Sequence, residues 1–163
     1  MLFQPLIGTL SVIDRKKNLF KLSQGEYIRP EFIEGVYKQC KSIANIYVHG
    51  ESTENYLVAI VIPDFEVLGI KGVEAQKKAI KDEKLFKKIQ HEMEHIAVQE
   101  KLRGFEFVKK FILDGDDFSV ENGMLTPTFK LKRNEAKKKY GRLIKELYSQ
   151  DQPTEPVKIA SKL

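Results

Sequence analysis

Alternating hydrophobic and polar positions predict a small domain of strands and helices. Residues 43–48 and 56–62 are rich in β-branched and aromatic side chains, and a polar connector with Gly50 separates them. They therefore predict the two strands of a hairpin, which ends at Pro63-Asp64. Residues 105–113 predict a further strand that ends at Asp114-Gly115.

Other stretches have the three- and four-residue spacing of helices. Pro30 suits the first turn of a helix, and Glu31 and Glu34 follow where carboxylates favour the positive end of the helix dipole. Residues 73–102 predict a long helical region with a break near Asp82, and residues 134–149 predict a closing amphipathic helix. Nearer the start, residues 8–14 predict a strand. The order of these elements predicts an α+β fold, a small mixed β-sheet flanked by helices.

The composition restricts the class of protein and its partners but does not identify a function. The chain has 163 residues, 42% of them hydrophobic, which is enough for one domain with one core. Cys40 is the only cysteine, so no disulfide forms within the chain and a reducing compartment is expected. The net charge of +5 favours anionic partners without choosing between nucleotides, coenzyme A, nucleic acid and anionic lipid.

Two stretches carry a specific resemblance. Residues 8–34 contain D-R-K-K followed by K-L-S-Q-G-E-Y, and residues 118–133 read F-S-V-E-N-G-M-L-T-P-T-F-K-L-K-R. The first resembles the hinge motif of the adenylate-forming enzymes, and the second resembles the last core motif of that superfamily. Both variants, together with N-I-Y-V-H-G-E-S at residues 45–52, look like the long-chain acyl-CoA synthetase branch.

The resemblance implies a division into three parts. Residues 1–17 would hold the end of a preceding strand and the hinge, 18–150 a carboxy-terminal lid domain, and 151–163 a flexible tail. The hinge and a short β-hairpin would precede the mixed sheet. In this superfamily the lid swings over a large amino-terminal adenylation domain that holds ATP and the fatty acid. The chain has no phosphate-binding loop rich in Ser, Thr and Gly. We therefore expect the lid to be inactive without that partner.

The implied reaction is that of a long-chain fatty acid–CoA ligase. A fatty acid and ATP, accompanied by Mg²⁺, form an acyl-adenylate and pyrophosphate. Coenzyme A then attacks the mixed anhydride to give the thioester. The magnesium ligands are expected mainly on the amino-terminal domain, and no metal site is assigned to this chain.

Motif matches suggest a role for each candidate residue. Lys130 matches the catalytic lysine, whose ammonium would stabilise negative charge at the α-phosphate during adenylation. Arg15 matches the arginine that reaches the nucleotide, and Lys17 matches the hinge residue. Lys21 and Gly25 match the loop that faces coenzyme A in the thioester-forming pose. This sequence has one residue more between Lys21 and Gly25 than luciferase-like members have.

Two short motifs allow other readings. Residues 91–95 fit H-E-x-x-H, the zinc-protease pattern, but the third histidine, His49, lies in a distant predicted connector. A chance match on a solvated helix face is the preferred interpretation. The basic run 137–139 lacks interleaved aromatic residues, so we expect no nucleic-acid partner.

The last three residues, Ser161, Lys162 and Leu163, form the S-K-L signal that the peroxisomal import receptor reads at a free carboxyl terminus. A peroxisomal location is therefore expected. The alternative to a ligase lid is a non-catalytic binding or regulatory module that keeps the lid fold.

Overall fold

The computed structural model describes the backbone of residues 2–6, 9–14 and 18–149, and the side chains of residues 18–149. The strands, in chain order, are β1 (Leu2–Leu6), β2 (Thr9–Asp14), β3 (Phe20–Lys21), β4 (Tyr27–Ile28), β5 (Ile43–His49), β6 (Leu57–Pro63) and β7 (Val108–Leu113). The helices are α1 (Pro30–Tyr37), α2 (Val73–Ala79), α3 (Glu83–Gln99) and α4 (Arg133–Ser149). The predicted α+β fold is confirmed.

A mixed three-stranded sheet forms the centre of the molecule. Strand β6 pairs antiparallel with β5, as the predicted hairpin requires, and parallel with β7. The parallel pair is joined by α2 and α3, since parallel neighbours need a long crossover. Every residue of β6 is buried, because this central strand is covered on both faces.

The two faces of the sheet hold separate hydrophobic clusters, since successive strand residues point to opposite sides. One cluster joins the sheet to α1 and α3 through residues such as Ile33, Ile89 and Phe111. The other joins it to α4 and to the segment before α4 through Ile60, Phe118, Tyr140 and others. The protein therefore has three layers, with the sheet in the middle.

Local signals explain where most elements begin and end. The Asp82 side chain accepts a hydrogen bond from the Lys84 amide at 2.8 Å and caps α3, so the predicted break separates α2 from α3. Helix α3 ends three residues earlier than predicted, where Lys101 adopts a positive φ of 55° and the Leu102 amide bonds back to the Ala97 carbonyl.

Strand β7 begins later than the pattern predicted. Residues Gly104–Glu106 form a short 3₁₀ turn instead, and Glu106 accepts a hydrogen bond from the Arg103 amide at 2.8 Å. Two small antiparallel pairs, β1–β2 and β3–β4, precede α1, and β3–β4 is the predicted short hairpin. Within the described residues, no helix is both long and apolar enough to cross a membrane.

Candidate functional site

Lys130 lies at the end of a tight loop, residues 126–130, which we call the lysine loop. Leu125 and Leu131 pair as an antiparallel bridge at its base. The Thr126 amide donates to the Lys130 carbonyl at 2.8 Å, and the Lys130 amide donates to the Thr126 hydroxyl at 3.1 Å. Phe129 has a positive φ of 58° and is 75% exposed. Both polar backbone groups of Lys130 are therefore fixed while its side chain faces outward.

The Lys130 side chain is exposed beside α1. It lines a cleft of about 510 Å³ together with Asn18 and Glu31 on one side and Thr126 and Thr128 on the other. Among residues 18–149, no side chain forms an ion pair or hydrogen bond with its ammonium. The cleft can thus present a positive charge to an anionic group outside the domain.

Arg133 fastens the residues that follow Lys130 to the core. Its guanidinium donates to Glu34 Oε1 at 2.7 Å and also donates to the Val48 carbonyl. The same group lies 5.1 Å from the centroid of the Tyr47 ring, in cation–π contact. One side chain therefore links the start of α4 to both α1 and β5.

Glu34 completes this buried ion pair. Its carboxylate also accepts a hydrogen bond from the Val48 amide at 2.8 Å. The side chains of Arg133 and Glu34 are only 17% and 9% exposed. Burial raises the pKa of Glu34 above its ordinary value, although Arg133 and the Val48 amide act in the opposite direction. The sequence predicted only that Glu34 favours the dipole of α1. Its pairing with Arg133, 99 positions away, was not predicted.

Lys21 and Gly25 lie on a different part of the surface. Lys21 is the last residue of β3, and Gly25 lies in the β3–β4 turn, where it has a positive φ of 91° and donates its amide to the Leu22 carbonyl at 2.9 Å. Lys21 is exposed, with its ammonium 5.4 Å from the Tyr27 ring centroid. Neither residue lines the cleft at Lys130. The structure therefore does not bring these two candidates together with Lys130.

The remaining candidates belong to the hinge motif and to the carboxy-terminal signal. Arg15 and Lys17, in the hinge motif, and Ser161, Lys162 and Leu163, in the S-K-L signal, lie outside the described residues. Their roles stay predictions.

Within the H-E-x-x-H motif at residues 91–95, the glutamate Glu92 has a structural role. His91 and His95 are exposed on α3, whereas Glu92 accepts hydrogen bonds from the Ser42 amide at 3.2 Å and the Ser42 hydroxyl at 2.8 Å. His49 is buried between the Tyr47 hydroxyl at 3.0 Å and Glu51 at 2.7 Å. Within the described part of the chain, no three His, Cys, Asp or Glu side chains are arranged to hold a metal.

Comparison with characterised proteins gives close relatives by sequence. The chain is 46% identical over 149 residues to long-chain-fatty-acid–CoA ligase 6 of Homo sapiens, which covers 87% of this chain and 21% of that protein. It is 43% identical over 157 residues to long chain acyl-CoA synthetase 7, peroxisomal, of Arabidopsis thaliana, covering 92% and 22%. The chain thus spans about a fifth of the length of these relatives. No family model matches it.

Solved structures give the same picture for the fold. The adenylation domain of a carboxylate reductase from Mycobacterium chelonae matches with a TM-score of 0.77 and 32% identity, over 86% of this chain and 21% of that one. The adenylation and carrier didomain of a carboxylic acid reductase from Segniliparus rugosus, in complex with AMP, matches with a TM-score of 0.75 and 32% identity, over 89% and 19%. The fold is that of a part of adenylate-forming enzymes.

Proposed function

The chain is a relative of the long-chain fatty acid–CoA ligases, and from that premise we propose that it is the lid domain of such a ligase. The complete enzyme would form an acyl-adenylate from a fatty acid and ATP and then transfer the acyl group to coenzyme A. The domain would be inactive alone, because the proposal assigns the ATP and fatty acid sites to a separate amino-terminal domain. The observation that carries the proposal is the exposed Lys130, held at a motif that resembles the catalytic lysine motif of these enzymes.

In this proposal, Lys130 acts in the first half-reaction. Negative charge gathers on the phosphate and carboxylate oxygens as pyrophosphate leaves, and a lysine ammonium is a compact charge suited to that place. A charge that is already oriented needs no reorganisation when the transition state forms. The hydrogen bonds of the lysine loop support this role, since they fix the backbone of Lys130 before any partner binds.

The second half-reaction would use the β3–β4 turn. Gly25 has a positive φ and no side chain, so backbone at this turn can approach a pantetheine chain closely. Lys21 and Gly25 would face coenzyme A after the lid rotates about Lys17, with Arg15 near the nucleotide in the proposed arrangement. The separation of this turn from the Lys130 cleft supports a lid that presents different surfaces in the two steps.

Magnesium would enter with ATP. Its ligands are proposed to lie mainly on the amino-terminal domain, because the proposal places the ATP site there. When bound, the ion would neutralise charge on the departing phosphates.

A peroxisomal location is a separate proposal. It depends on Ser161, Lys162 and Leu163 being read by the import receptor as a free carboxyl terminus. The name of the Arabidopsis relative, a peroxisomal synthetase, supports this location.

Reconstitution tests the proposal. The chain is mixed with the amino-terminal domain of the same enzyme, and thioester formation that depends on ATP, coenzyme A and fatty acid is measured. We expect turnover in the mixture and almost none with either part alone. Tight binding of the two parts without turnover would favour the alternative, a non-catalytic module that keeps this fold.

A further inference from the structure

We propose that Arg133 is a positioning residue for Lys130, acting through its contacts with Glu34 and Val48. The inference rests on the proposed function, because it assigns Lys130 to the adenylation step. Arg133 itself would not touch the reacting groups. Its role would be to hold the lysine loop at a fixed place on the domain surface.

The backbone between Lys130 and Arg133 is short and well anchored, so the positions of the two residues are coupled. Only Leu131 and Lys132 separate Lys130 from Arg133. Leu131 pairs with Leu125, and the Lys132 amide donates to the Met124 carbonyl at 2.8 Å. Each residue from Lys130 to Arg133 is therefore fixed by at least one contact, so a shift of Arg133 moves the lysine loop with it.

The contacts of Arg133 come from two different layers of the domain. Glu34 lies on α1 and Val48 on β5, and the Tyr47 ring packs against the guanidinium. A planar guanidinium can bind a carboxylate and a carbonyl while stacking on an aromatic ring, whereas a lysine ammonium cannot reproduce this set. Arg133→Lys keeps the charge that buried Glu34 requires but loses the defined geometry.

Amide hydrogen exchange on this chain tests the structural half of the inference. In Arg133→Lys, the amides of Phe129, Lys130 and Lys132 should exchange faster than in the wild type, while the amides of β6 stay protected. The matched control is Arg142→Lys, on the same helix, whose side chain is 89% exposed and pairs with Glu146. Unchanged exchange in the lysine loop of Arg133→Lys would overturn the inference.

Half-reaction kinetics in the full-length ligase test the functional half. A misplacement of about 1 Å can cost about 100-fold in rate, so Arg133→Lys should lower kcat for adenylation on that scale. The KM for ATP should change little, thioester formation from supplied acyl-adenylate should continue, and Arg142→Lys should behave as wild type. If Arg133→Lys does not fold, Glu34→Gln replaces it, because the amide keeps an acceptor for the Val48 N–H but weakens the bond to Arg133.

Lys130→Ala, measured in parallel, separates the two possible failures. If Lys130→Ala abolishes adenylation while Arg133→Lys matches Arg142→Lys, positioning by Arg133 is wrong and the proposed function stands. If Lys130→Ala retains full adenylation, the proposed function fails and the inference fails with it.

Discussion

At the scale of single residues, the buried polar groups give the domain a defined response to pH. His49 is buried against Tyr47 and Glu51. Burial lowers the pKa of His49; Lys137 and Arg133 act in the same direction, and Glu51 opposes them. The folded state then binds a proton less readily than the unfolded state. The stabilisation is therefore present above the unfolded pKa of 6.5 and is lost as the pH falls below it.

We predict that His49→Gln flattens this response. The free energy of unfolding of the wild type should decrease between about pH 7.5 and about pH 5.5 relative to His49→Gln, by at most about 1.4 kcal/mol per pH unit for one proton. Chemical denaturation at several pH values measures the difference. The control is His91→Gln, which replaces an exposed histidine and keeps buried His49, so the decrease should persist in this variant.

Protonation of Glu34 changes the free energy of unfolding with pH in the direction opposite to His49. The difference between the wild type and His49→Gln therefore isolates the contribution of His49. Burial raises its pKa, so the folded state holds this proton more firmly than the unfolded state. The stabilisation that its proton gives to the folded state is therefore present below pH 4.5 and is lost as the pH rises through the folded pKa. Parallel curves for wild type and His49→Gln would show that burial of His49 does not perturb its protonation.

The residue scale also shows what one sequence can and cannot predict. Lys130 was assigned from its motif, and its exposure agrees with that assignment without testing it. The pairing of Arg133 with Glu34 could not be predicted, because the two residues are 99 positions apart and each looks like a surface charge. Only the packing of α4 beside α1 and β5 brings them together.

At the scale of elements, most helices and strands were predicted from the hydrophobic pattern. The hairpin β5–β6 and the break between α2 and α3 were predicted because strand pairing and helix capping leave local signals. A mixed sheet was predicted, but the parallel partner of β7 was not, since the strands of a parallel pair are mostly apolar and carry no local signal of their neighbour. The 3₁₀ turn before β7 was also missed, because Phe105 and Phe107, on either side of Glu106, continue the alternating pattern of a strand.

Asp82 offers a test at this scale. Its carboxylate satisfies the Lys84 amide at the start of α3, so Asp82→Ala should reduce the free energy of unfolding by about 1 kcal/mol. Asp82→Asn should retain most of the stability, because asparagine also caps helices well. Thermal or urea denaturation measures both variants, with Lys81→Ala, at an exposed neighbour, as control. Equal stability of Asp82→Ala and Lys81→Ala would contradict the capping role.

At the scale of the whole molecule, the fold places the candidate groups on separate surfaces of one three-layered domain. The lysine loop lies beside α1, and the β3–β4 turn lies away from it. Both were predicted from motif resemblance, and their separation was not, since it depends on tertiary packing. The chain spans about a fifth of the length of the relatives named above.

The proposed location can be tested apart from the fold. Residues 150–163 fused to the carboxyl end of a fluorescent protein should direct it to peroxisomes, because a receptor reads S-K-L at a free end. Removal of Leu163 from the fusion should leave the fluorescence diffuse. Peroxisomal fluorescence of both fusions, or of neither, would count against the signal.

The central claim is that Lys130 delivers a positive charge to an acyl-phosphate reaction centre on another domain. Its most direct test is the rate of each half-reaction in the full-length ligase carrying Lys130→Ala. We expect adenylation to fall about 100- to 1,000-fold, as on removal of an oriented oxyanion donor, while thioester formation from supplied acyl-adenylate proceeds at the wild-type rate. Equal loss of both half-reactions, or of neither, would contradict the account.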